Sequence, residues 1–131
     1  MMERFLKDNP FWQWMGFAID TDAAAEGKAV VTVPVRPEFR QHQGLVHGGV
    51  MSALIDSAGA WGFALTHQEA LRTINMSVQY LSPVVPETPQ LRAEATVIRA
   101  GRRIVIVEVR VWGMADVLAA QGQVIYSRAH A

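Results

Sequence analysis

The stretch Gly44–Asp56 reads GLVHGGVMSALID: a histidine and three glycines run into a helical pattern with a single charged residue, Asp56. A carboxylate on an otherwise apolar or small-residue surface is costly unless it is paired or used. Gly48 and Gly49 fall where the helix begins, so their amides lack helical acceptors and point outward as donors. With the partial positive charge of the helix end, they can hold a polarised carbonyl or a developing oxyanion. Asp56 can serve as general base or as nucleophile. Eight residues separate it from Gly48, roughly 12 Å along a helix axis. One small reacting group cannot touch both in the same chain. If both act on one carbonyl, two chains share the site, and catalysis is tied to dimerisation.

The elements that must position these residues follow from periodicity. Met51, Leu54, Ile55, Ala58, Gly62 and Leu65 keep the spacing of a buried helical stripe, predicting one long helix over residues 48–65. Residues 2–15 predict one or two short helical turns around a break at Asn9–Pro10. Residues 17–35 predict two strands split by the AEGK turn at 25–28. After the helix, Ile74, Met76, Val78 and Tyr80 alternate with Thr73, Asn75, Ser77 and Gln79. Similar alternation marks strands at 91–97, 105–111 and 117–127, with a turn at 100–102. Alternation of this kind belongs to antiparallel sheets with one covered face. The expected fold is α+β, a curved antiparallel sheet of about six strands wrapped around one helix. One helix covers so wide a sheet poorly, which favours pairing with a second copy.

Composition narrows the partners. The 131 residues, half of them hydrophobic and 18% charged, suit one domain over 1–131. Twelve basic and twelve acidic residues balance, which argues against binding nucleic acid through a broad basic face. With no cysteine, disulfides, thiolate metal sites and cysteine nucleophiles are excluded. His42, His67 and His130 are scattered without partners at ligand spacing, so no metal site is expected. The opening residues hold no apolar run long enough for a signal peptide or membrane span, and a cytoplasmic location is the expectation.

Gln41, Gly44, His47-Gly48-Gly49 and Asp56, together with the later TINMSVQYLSPV and the Gly101-Arg102 turn, resemble the hotdog-fold acyl-CoA thioesterases of the PaaI-like and 4-hydroxybenzoyl-CoA thioesterase group. The likeness covers most of residues 15–128. It implies that the Gly48 amide polarises a thioester carbonyl, that Asp56 from the facing subunit attacks it or activates water, and that Gln41 orients water or carbonyl. His47 shapes the helix start. The substrate would be an aryl- or medium-chain acyl-CoA, hydrolysed to free acid and coenzyme A without a bound cofactor, by a dimer that pairs again into a tetramer. Gly49 belongs to the same helix start. Trp61 and Phe63, like Trp12 and Trp14, suit core or interface and also an acyl pocket. Arg102 and Arg103, beside Arg99, form a solvated corner that could also meet coenzyme A phosphates. Two departures stand out: Gln41 is combined with Asp56, and Ala60 replaces the Thr or Ser that some relatives carry four residues after the acid. The rival readings are an acyl-CoA-binding module without catalysis and an acyl thioester hydratase or dehydratase.

Overall fold

In the computed structural model, which describes residues 8–128, chain order runs from helix α1 (Pro10–Met15) through strands β1 (Ala18–Ile19) and β2 (Lys28–Pro34). Helix α2 (Gly48–His67) follows, then β3 (Leu71–Tyr80), β4 (Gln90–Ala100), β5 (Ile104–Trp112) and β6 (Leu118–Arg128). Asn9 and Pro10 begin α1 rather than break it. The Asn9 side chain accepts the Trp12 amide at 3.3 Å, and proline at the first helical position gives up only an amide that has no helical acceptor. The earlier part of the expected helical segment, residues 2–7, lies outside the described residues, as does His130.

The strands form one antiparallel sheet in the order β1-β2-β4-β5-β6-β3. Val105, Val107, Val109 and Val111 of β5 are fully buried, while Glu108 and Arg110 take the opposite face. β-Branched residues at every second position suit a pleated strand with one covered face. Val31, Val33, Leu91, Ala93, Val124 and Tyr126 extend the buried face across the neighbouring strands. Helix α2 lies against it, contacting β2 through β6, and buries Leu54, Ile55, Ala58 and Phe63. The α+β arrangement expected from the alternation is therefore the one observed. Among the described residues no helix is long and apolar enough to cross a membrane.

Strand β3 departs from simple alternation. It is an edge strand, exposed from Arg72 to Ser77. Met76 and Val78 pair with Val124 and Gly122, but the register shifts between Thr73 and Asn75, leaving Ile74 as an extra residue. Strict period two would turn Ile74 toward α2. The bulge puts Ile74 outside the ladder and sets Thr73 opposite Tyr126, on the inner face.

Candidate active site

His47 is the N-cap of α2, and its Nδ1 accepts the Gly49 amide at 2.8 Å. That bond uses the Gly49 donor inside the protein, so Gly49 has no amide left to offer a ligand. It also fixes Nδ1 as the acceptor of the ring, which leaves His47 a structural task at the helix start. The Gly48 amide has no acceptor among the described residues. A side chain at 48 would meet the ring of Tyr80, since a Cβ there lies 3.1 Å from Tyr80 Cε1.

Gln41 stands beside this donor. Its carbonyl accepts the Gly44 amide at 2.9 Å, its own amide donates to Leu45 O at 2.7 Å, and Gly44 takes the left-handed φ of +84° that closes the turn. The Gln41 side chain exchanges hydrogen bonds with Gln43, its Nε2 donating to Gln43 Oε1 at 3.1 Å. Gln41, Gly48, Met51 and Tyr80 line one cavity of about 270 Å³. The structure thus places Gln41, His47 and Gly48 together around the start of α2.

Asp56 lies two turns further along α2 and is half-buried. Thr73 Oγ1 donates to Asp56 Oδ1 at 2.6 Å. One turn before it, Ser52 bonds the Tyr80 hydroxyl. Beneath the helix, the Tyr126 hydroxyl donates to the Asp56 main-chain carbonyl at 2.6 Å. Burial first, then the Asp56 charge, holds this phenol protonated well above its ordinary range. Thr73, Tyr80 and Tyr126 were not singled out from the sequence. Thr73 looks like a solvent-facing strand position until the bulge is known, and the two tyrosines read as ordinary strand residues.

The remaining expected residues separate. Trp61 is buried and meets Trp12 with ring centroids 5.1 Å apart. With Ala60, Ala64 and Leu71 they line a cavity of about 220 Å³, one helical turn beyond Asp56. Phe63 does not join it. It is fully buried, stacked on His67 with centroids 3.9 Å apart and lying under the Arg128 guanidinium at 5.2 Å. It serves the core, because two residues along a helix turn it to a different face from Trp61. Arg102 and Arg103 are exposed in the β4–β5 turn. That turn is tied to the end of β6, where Arg128 Nη1 donates to Gly101 O at 3.1 Å and the Arg128 amide to Arg103 O at 2.9 Å. Arg128 also pairs with buried Glu69, just after the C-terminal end of α2. Within one chain the two arginines therefore sit at the far end of the helix from Gly48. Among the described residues no group of three or more His, Asp or Glu could hold a metal ion.

A family model described as the thioesterase superfamily matches residues 43–120, the span from Gln43 before the Gly44 turn to Ala120 on β6. A Halobacterium salinarum protein named "Putative esterase" is 28% identical over 128 residues, covering 92% of this chain and 82% of that protein. The E. coli PaaI protein from the phenylacetic acid degradation operon superposes with a TM-score of 0.86 at 22% identity, covering 97% of this chain and 89% of that one. A Streptococcus mutans protein solved bound to acetyl-CoA gives 0.78 at 19% identity, with 87% and 89% covered. The fold is the hotdog fold, and the chain belongs to the thioesterase superfamily.

Proposed function

We propose that this protein is an acyl-CoA thioesterase, a single hotdog domain that hydrolyses an acyl-CoA to the free acid and coenzyme A. The observation that carries the reading is that one helix presents both an unengaged start amide, Gly48, and a carboxylate, Asp56, held by Thr73. The Gly48 amide polarises the thioester carbonyl and takes up charge as the tetrahedral intermediate forms. Asp56 either adds to the carbonyl and displaces the coenzyme A thiolate, giving an anhydride that water opens, or draws a proton from a water whose addition expels the same thiolate. Gln41, at the mouth of the Gly48 cavity, orients the carbonyl or the water. Thr73 supplies the hydroxyl that Ala60 does not, from β3 instead of from the helix. The acyl group enters the cavity bounded by Ala60, Ala64, Trp61 and Trp12. No metal and no resident cofactor is called for; coenzyme A arrives as part of the substrate.

The site is shared. Gly48 and Asp56 of one chain stand roughly 12 Å apart along α2, so the amide that faces Asp56 is the partner subunit's Gly48. The unpaired edge of β3, with Ile74 55% and Tyr80 53% exposed, supports strand-to-strand pairing of two copies. Such a two-fold pairing brings the partner subunit's Gly48 toward the C-terminal half of this chain's α2. Arg102 and Arg103 lie at that end and suit the coenzyme A phosphates. Pairing of two dimers into a tetramer and a cytoplasmic location complete the reading.

Thiol release from acetyl-, hexanoyl-, palmitoyl-, benzoyl- and phenylacetyl-CoA tests it. Turnover of at least one that falls by at least about a thousandfold in Asp56→Asn, in a protein that remains folded, is the expected result. Binding of acyl-CoA without thiol release would instead make the same site a sensor's.

A further inference from the structure

Tyr126 stands on the inner face of β6, fully buried, with its hydroxyl on the main-chain carbonyl of Asp56 at 2.6 Å. The Ala60 amide faces the same hydroxyl. In an α-helix the carbonyl of residue 56 and the amide of residue 60 are the two ends of one hydrogen-bonded rung. The phenol therefore sits at that rung, donating to one end and facing the other. A group placed in the ladder sets the local bend of a helix.

Only glycine at position 59 admits it. A Cβ there would lie 2.3 Å from Tyr126 Oη and 3.2 Å from Cζ, a distance at which the buried ring or the helix must move. Tyr126 is also the cross-strand partner of Thr73, whose hydroxyl donates to Asp56 Oδ1. Two neighbours on adjacent strands thus grip the same residue, one by its backbone and one by its carboxylate.

Resting on the reading of Asp56 as the reacting acid, we propose that Tyr126 is a positioning residue for the reaction: its hydroxyl, admitted by Gly59, fixes the helix rung at Asp56 and with it the direction of the carboxylate. Tyr126 does not exchange protons with substrate. Its phenol stays neutral, and Asp56 and Ala60 are the groups placed against it. A displacement of about 1 Å in a reacting group can cost about a hundredfold in rate, so a small shift of this rung suffices.

The test is Tyr126→Phe in the full chain, which keeps the ring and removes only the hydroxyl, assayed by thiol release with the panel member that the wild type turns over fastest. The expected result is a fall in kcat of about ten- to a hundredfold with KM within about twofold, and the same fold-loss at each pH from about 6 to 9. Gly59→Ala gives a comparable fall in kcat together with a lower Tm. Adding Tyr126→Phe to Gly59→Ala recovers part of that Tm, because the overlapping oxygen is gone. A Tyr126→Phe variant that loses Tm but keeps wild-type kcat overturns the proposal, as does a loss that varies with pH, which belongs to an acid–base group. Asp56→Asn is run beside them. If it is inactive while Tyr126→Phe matches the wild type, this proposal alone fails. If Asp56→Asn keeps its turnover, or the wild type is silent on the whole panel, the underlying reading fails and the proposal with it.

Discussion

Thr73 shows how much a single hydroxyl can depend on its surroundings. Its bond to Asp56 is short, and hydrogen bonds to a charged group are worth roughly 1.5–3 kcal/mol. Thr73→Val keeps the shape and loses the donor; kcat should fall about tenfold or more, and Thr73→Ser should recover most of it. Equal kcat in wild type and Thr73→Val would remove Thr73 from the site. Tyr126 makes a different prediction, about stability. The folded protein keeps a phenol proton that the unfolded chain releases near the ordinary value of 10.0. Above that pH the unfolded state binds fewer protons than the folded one, so stability falls as pH rises, by up to about 1.4 kcal/mol per pH unit. Well below 10 the same group adds no slope. Urea unfolding at about pH 9, 10.5 and 11.5 should show the advantage of wild type over Tyr126→Phe shrinking with pH. Parallel loss in both proteins would contradict it.

At the scale of elements, what could be read from the sequence follows from how local its cause is. Helix α2 was legible because its buried stripe recurs every turn, and β5 because four valines alternate without interruption. The helix start at Gly48 was legible for the same reason, since glycine and capping chemistry act over a few residues. The inner face of β3 was not. One extra residue, Ile74, shifts the register against β6, a strand far along the chain, and periodicity within β3 carries no sign of it. Phe63 and Trp61 read alike as large apolar helix residues, yet only Trp61 meets α1, which periodicity cannot tell. That packing makes its own prediction. The cavity of about 220 Å³ between α1 and α2 exceeds the roughly 150 Å³ that holds a benzene molecule in an apolar core. Ala64→Leu should fill much of it, raising KM severalfold for benzoyl- or hexanoyl-CoA while leaving acetyl-CoA turnover nearly unchanged. An equal effect on every acyl group would place the acyl chain elsewhere.

The whole molecule is where the roles of Gly48 and Asp56 have to be reconciled. The helix between them is a rigid spacer, so in the proposed reading a single chain holds two half-sites rather than one whole site. In the shared-site reading proposed above, a two-fold pair of chains makes each half-site whole, because in such a pair the same patch meets itself and residue i of one copy faces residue j of the other. Gly48→Pro and Asp56→Asn separate these halves cleanly. Proline is tolerated at a first helical position, and His47 before it already has the extended conformation that a following proline requires, φ −62° and ψ 136°. The variant therefore removes the Gly48 donor and keeps the helix start, while its Cβ presses on the Tyr80 ring at 3.1 Å, a contact that Gly48→Ala reproduces with the donor intact. Each variant alone should be inactive in thiol release. When equal amounts are unfolded and refolded together, half the dimers are mixed, and each of those carries one site with both residues native. About a quarter of wild-type activity should return. A mixture as silent as its parents, with mixed dimers present by mass, would mean that donor and acid act within one chain, and that the helix spacing has been misread as a division of labour.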